Sequence, residues 1–172
     1  MHTRLALTAL ATGALALAAC SSSPSPAPSS TTSGTVIFAG SSTSLANNPV
    51  IPLRATGVIT DTGTIKLSGG PGAGTGVIKL SHGHVNVMHS RGTGSAFHLS
   101  KATCTAGQNV HGTYTVTGGT GKYAHATGHG RFDVTFTVKF AMTGGQCTVT
   151  RHTQPASGHT TFLATGPLTI HS

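Results

Sequence analysis

The sequence predicts an all-β domain, an antiparallel β-barrel of about eight strands. Three observations carry that expectation. From residue 131 onward Phe132, Val134, Phe136, Val138, Phe140 and Met142 are apolar, while Arg131, Asp133, Thr135, Thr137 and Lys139 are polar. Such period-two alternation means a long strand with one buried face. Short apolar runs recur after residue 35 between glycine, proline and asparagine clusters, and give nine or ten strand candidates. No stretch after residue 20 repeats its apolar residues with a helical period. The 24 glycines and many threonines favour strands and turns instead.

Taken in chain order, residues 1–19 carry one cation, Arg4, before an apolar run over 5–19. The run is too short and too small-sided to span a bilayer and has the shape of a secretory signal. Leu17-Ala18-Ala19-Cys20 resembles the lipobox of bacterial lipoproteins, in which the cysteine takes a diacylglycerol and begins the mature chain. That resemblance implies lipidation at Cys20 and a domain held on the extracytoplasmic face of the cell membrane. Residues 20–34 are then the lipidated cysteine and a Ser/Pro-rich tether with no apolar pattern, reaching at most roughly 50 Å. The barrel is expected over 35–172.

Within it, Val36-Ile37-Phe38 is a first strand, and Asn47-Asn48-Pro49 with Pro52 marks a loop. Residues 55–60 and 64–67 read as a hairpin around a tight turn at Asp61-Thr62-Gly63. The glycine-rich segment 69–76 is a flexible connection, and residues 77–80 and 85–88 flank Ser81-His82-Gly83-His84 as a second hairpin. Phe97 and Leu99 alternate with His98 and Ser100 in a strand that runs into Cys104. Tyr114 and Val116 share one face of the next strand, and Thr113, Thr115 and Thr117 the other. Gly118-Gly119-Thr120-Gly121-Lys122-Tyr123 then links it to the alternating strand, with glycines free to take positive φ. Residues 147–151, 160–164 and 168–170 supply the last strands, the final two separated by Pro167.

Charge narrows the function classes. Asp61 and Asp133 are the only acids, against ten Lys and Arg, for a net charge of +8. The cations are spread evenly with no run, which suits a solvated outer wall and gives no nucleic-acid signature. Anionic lipid or envelope polymer remains a partner class for such a wall. Once Cys20 is assigned to lipid, Cys104 and Cys147 form an even pair, which in an exported domain predicts a disulfide bracketing the central strands.

The stretch Gly112-Thr113-Tyr114, Gly118-Gly119-Thr120-Gly121-Lys122-Tyr123-Ala124, Ala126-Thr127-Gly128 and Gly130-Arg131-Phe132 resembles the glycine-rich motif of allene oxide cyclase-like and dirigent-like β-barrels. The resemblance implies an eight-stranded barrel with an apolar interior, in some members oligomeric, so homo-oligomers are an expected partner class. It does not carry activity over. The plant cyclase uses a pocket Glu, and this chain has no Glu; dirigent-like pockets use Asp and Arg, and Asp133 alternates with the apolar face and points outward.

Other constellations carry little. His82 and His84 belong to a turn, and His125 and His129 are read as polar residues of the outer wall without a third ligand, so no metal or other cofactor is expected. The glycine loops open no helix and are not nucleotide cradles, Gly-x-Ser-x-Gly is absent, and neither Asp has a His partner in register, so no catalytic residue is assigned. Along the inward phase Phe132, Val134, Phe136, Val138 and Phe140 are large, while Ala124, Ala126, Gly128 and Gly130 are small. This predicts a tapered interior with space at the small end, which Phe at Gly128 would fill. Tyr114, Gly128, Phe132 and Phe136 are the candidate ligand-binding residues. The favoured function is a non-enzymatic, membrane-anchored binding module for a small apolar ligand. The alternative is a filled barrel whose wall contacts anionic envelope components; a cyclase or isomerase comes third.

Overall fold

The computed structural model describes residues 30–46, 49–68 and 72–171. Cys20 and the stretches read as a secretory signal and, up to residue 29, as a tether lie outside these residues, as do Asn47, Asn48 and residues 69–71. Ten strands follow in order: β1 (Thr31–Ser42), β2 (Val50–Gly57), β3 (Asp61–Ser68), β4 (Gly74–Leu80), β5 (Gly83–His89), β6 (Thr93–Gly94), β7 (His98–Ser100), β8 (Thr105–Gly119), β9 (Thr127–Lys139) and β10 (Ser157–His171). A 3₁₀ turn over Gly121–Tyr123 joins β8 to β9. Among the described residues no helix is long and apolar enough to cross a membrane.

Neighbouring strands pair antiparallel in the order β5-β4-β3-β2-β1-β10-β9-β8, and β8 returns to pair with β5. The result is a closed eight-stranded barrel with no free edge among these eight strands, which removes the edge-pairing liability of an open sheet. The alternation read from the sequence sets which side chains enter. Val36 and Phe38, Ile51 and Leu53, Ile65, Ile78, Val85 and Val87, Tyr114 and Val116, Phe132 and Val134, and Phe162 and Leu168 form one continuous core. Arg131, Asp133 and Thr135 face solvent, as their phase requires. Every core residue among the described residues lies within 31–171, and the eight strands of that segment close the barrel on one another.

β8 and β9 are long, and their ends define two different barrel mouths. At one end β8 meets β5 through a register shift between Asn86 and Val87, where Gly118 takes φ +117°. A bulge with glycine at positive φ bends the strand and increases its twist, and here it carries the chain across the barrel end. Tyr123, buried in the 3₁₀ turn, and Ile59, in the β2–β3 turn, seal that end. At the other end β8 outruns β5; its first half pairs instead with the short strands β6 and β7. Segment 140–156 lies at that end too, tied to Cys104 by the disulfide to Cys147 across 43 positions. Cys104, Ala106 and Phe140 form a second small core there, with Leu99, Val138, Cys147 and Val149 packed on it.

Four sequence expectations are corrected. β1 starts at Thr31, within the stretch read as tether, because residues 31–34 pair with 168–171 of β10. Asp61 is not the turn of the β2–β3 hairpin; it opens β3 opposite Ala55, and residues 58–60 make the turn. Residues 147–151 form no strand, since no neighbour offers them a ladder beyond the isolated Thr143–Gln146 bridge. Pro167 does not divide the last strand. β10 stays paired with β1 there through Thr35, while pairing with β9 lapses at Gly166 and Pro167 and resumes at Leu168–Gly128. A strand tolerates proline where no ladder bond needs its missing N–H.

The small residues of early β9 have a packing reason. A Cβ at Gly130 would meet the backbone carbonyl of Thr165 and come within 2.7 Å of the Tyr114 ring. Gly130→Ala is therefore expected to destabilise the barrel by about 1–3 kcal/mol, as overpacking typically does. Urea unfolding of the variant checks this; an unchanged midpoint would show that Tyr114 moves aside freely.

Candidate functional site

The barrel is not filled along its whole length. Toward the end capped by 140–156, an apolar cavity of about 420 Å³ occupies the interior. Its wall includes inward positions of five barrel strands: Phe38 of β1, Ile51 of β2, Ile65 and Ile78 of β3 and β4, Phe132 and Val134 of β9. Leu45, Phe97 and Phe136 stand at its mouth, exposed by 48%, 56% and 37% respectively. No Lys, Arg, Asp or Glu lines it among the described residues. Its polar lining comes from Ser44, His89, Gln108, Tyr114, Thr137, His159 and Thr160.

Tyr114 marks the cavity floor. On β8 the lining residues are Gln108, Val110 and Tyr114, whereas the next inward residue, Val116, belongs to the packed half. Only 5% of Tyr114 is exposed, and its hydroxyl is buried with no protein group in hydrogen-bonding reach. Burial pushes its phenol up to about 12, so it stays a neutral donor across the physiological range. His89 of β5 stands directly opposite Tyr114 in the ladder, and its ring meets Phe132 edge-on at 5.8 Å. The His89 Nδ1–H donates to the Ser90 carbonyl at 3.1 Å, which sets its tautomer.

The sequence candidates divide accordingly. Tyr114, Phe132 and Phe136 all line the cavity. Gly128 does not: it lies at the sealed end, where an added Cβ would stand 2.5 Å from the Pro167 carbonyl oxygen and 3.3 Å from the Leu168 Cα. The expected space at the small end of the taper is thus taken up by Tyr114, Leu168 and Tyr123, and the cavity opens at the opposite end beside the large residues. Ala124, counted with the inward phase, is an exposed residue of the connection. His89 was in phase with Val85 and Val87 and was legible as inward; Leu45 and Phe97, placed by loops, were not.

A second polar cluster seals the closed end. The Asp61 side chain, 5% exposed, accepts from the Ser81 hydroxyl and the Thr62 N–H at 2.7 Å through Oδ1, and from the Tyr123 hydroxyl at 3.0 Å through Oδ2. The Ser81 hydroxyl holds the Asp61 carboxyl well below the usual carboxylate range, against the opposing pull of burial, with Thr62, Tyr123 and His82 assisting. Burial and that same bond push the Tyr123 phenol up to about 12. The expectation that neither Asp has a His partner is corrected, since His82 Nδ1 lies 3.3 Å from Asp61 Oδ2. The set is not a hydrolytic triad. Ser81 Oγ and the Asp61 carboxylate meet the same ring nitrogen of His82, whereas a relay needs them on opposite nitrogens. It is a structural clasp joining β3, the β4–β5 turn and the β8–β9 connection.

His125 and His129 are exposed, and among the described residues no group of three or more His, Cys, Asp or Glu gathers as for a metal. The glycine motif lies against the β4–β5 hairpin, with the Thr120 N–H donating to the His84 carbonyl at 2.9 Å and the Lys122 N–H to the His82 carbonyl at 3.0 Å. Its local geometry therefore closes the barrel end. Comparison with protein-family models, with curated proteins and with solved structures finds no match, so the cavity is read from its own residues.

Proposed function

We propose that this chain is a lipid-anchored, non-enzymatic binding module on the outer face of the cytoplasmic membrane, whose barrel takes up one small apolar molecule. The apolar cavity of about 420 Å³ carries the reading, falling within the roughly 300–1,000 Å³ typical of small-molecule sites. Its walls gain by removing ligand surface from water, at about 25 cal/mol per Å² of apolar area. The apolar rim of Leu45, Phe97 and Phe136 offers an entry for a molecule leaving a lipid surface, and the Leu17–Cys20 motif supports placing the domain on one. Neither carboxylate reaches the cavity: Asp61 is engaged in the opposite end of the barrel, and Asp133 is on the outer wall. That argues for binding over acid–base catalysis. The cavity likewise argues against the filled-barrel alternative.

Native mass spectrometry of the protein recovered from its host's envelope tests the reading. The expected result is a mass adduct that dissociates to a defined apolar molecule. Val134→Phe, which adds a ring to the middle of the cavity wall, should reduce the bound fraction at least about tenfold by removing volume the ligand needs. A bare protein mass in repeated preparations would defeat the proposal.

A further inference from the structure

Resting on the cavity reading above, we infer that the ligand is a neutral molecule with an apolar chain or ring system and one oxygen acceptor (a ketone, ester, ether or alcohol), bound with that oxygen innermost on the Tyr114 hydroxyl. Three observations lead there. The Tyr114 hydroxyl is buried and lacks a protein partner, and no other buried side-chain polar atom among the described residues is left so. A buried donor left unsatisfied is costly, and native interiors rarely keep one without a use. Tyr114 also lines the cavity at its floor, so a ligand acceptor reaching the depth of the site meets that donor. The residues above it toward the mouth are dominated by Val110, Phe132, Val134 and Phe162, which suit hydrocarbon.

The same wall selects against a charged headgroup. A carboxylate at the floor needs a cation or several donors when taken from water. No lysine or arginine lines the cavity, and His89, the ring nearest Tyr114 in the ladder, already spends its Nδ1–H on the Ser90 carbonyl. An ammonium fares no better, since no carboxylate lines the cavity. A phenol donor facing a carbonyl, ester or hydroxyl oxygen leaves no unpaired charge.

The test uses residues 30–172, which contain the complete barrel, and the displacement of a neutral fluorophore, N-phenyl-1-naphthylamine, at pH 8. The competitors are dodecane, 2-dodecanone and dodecanoate, matched in chain length. On the wild-type protein 2-dodecanone is expected to displace the fluorophore about tenfold more tightly than dodecane, the change that one recovered hydrogen bond of about 1.4 kcal/mol gives. Tyr114→Phe should erase that advantage, so that dodecane and 2-dodecanone displace the fluorophore equally, while dodecanoate stays the weakest of the three on both proteins. Equal displacement by dodecane and 2-dodecanone, or a ketone advantage that survives Tyr114→Phe, overturns the assignment and leaves the cavity reading standing. Tightest binding by dodecanoate overturns the neutral class. If neither the fluorophore nor any competitor binds, the cavity reading falls and takes this inference with it.

Discussion

Replacing both Cys104 and Cys147 with serine should cost the barrel about 4 kcal/mol, the loop-closure entropy of a crosslink spanning 43 positions. The location makes the loss more than entropic. Segment 140–156 contains no strand, and its backbone is held mainly by the Phe140 N–H to Cys104 carbonyl bond at 2.9 Å, the Ala156 N–H to Lys139 carbonyl bond at 2.8 Å and the Thr143–Gln146 pair. Its apolar anchor is the small cluster around Cys104, which includes Val138, a residue that also lines the cavity. Releasing Cys147 therefore loosens one wall of the mouth. The thermal midpoint is expected to fall by about 10–15 °C for a domain of this size. A fall of less than about 3 °C, under 1 kcal/mol on the same scale, would mean that Phe140 and its neighbours hold the segment without the crosslink.

Asp61→Ala should cost about 3 kcal/mol, the second largest effect expected here. The substitution withdraws the acceptor of donors from three residues at once, Ser81, Thr62 and Tyr123. Tyr123 suffers most, because it is 1% exposed and Asp61 is the acceptor of its buried hydroxyl. Asp61→Asn keeps the shape and removes the charge, and isolates the pH term. The folded carboxyl is held below its ordinary value, so above an ordinary carboxylate pKa of about 4 its contribution is present in full. As the pH falls below that value the unfolded chain takes up the proton first, and stability is lost progressively until the folded carboxyl is also protonated. The chain has no Glu, and Asp133 is exposed on the outer wall, which leaves Asp61 as the one buried carboxyl. Urea midpoints measured at pH 5 and pH 2.5 should therefore drop further in the wild type than in Asp61→Asn. Equal drops would mean that the acid sensitivity does not come from the Asp61 carboxyl.

The legibility of the fold follows from how local each signal is. Strand phase is a property of adjacent residues, so the alternation over 131–139 correctly assigned Phe132 and Val134 to the interior and Arg131 and Asp133 to solvent. The same holds for Tyr114 and Val116. The cysteine pair needed only counting. Asp61 misled because Asp-Thr-Gly has turn chemistry, while the groups that draw it inward, Ser81 and Tyr123, lie 20 and 62 positions away. Residues 147–151 have strand composition without a neighbouring strand to pair with, and β-propensity does not act without one. Gly128 and Gly130 show the deeper ambiguity. A glycine on an inward face either leaves space or admits a neighbour's bulk, and only the neighbour's identity distinguishes the two cases.

By itself, then, the sequence determined the all-β class, the inward and outward faces of the strands, the disulfide pair and three residues of the cavity wall, because each rests on spacing within one segment. The tertiary structure alone decided that β5 closes on β8, that the sealed end is the one with the small residues, and that an apolar cavity opens at the other. It also decided that Tyr114 keeps an unpartnered hydroxyl on the cavity floor. These depend on which distant segments meet, and the close packing of Tyr114 on Gly130 and of Tyr123 on Asp61 exists only once the barrel has closed.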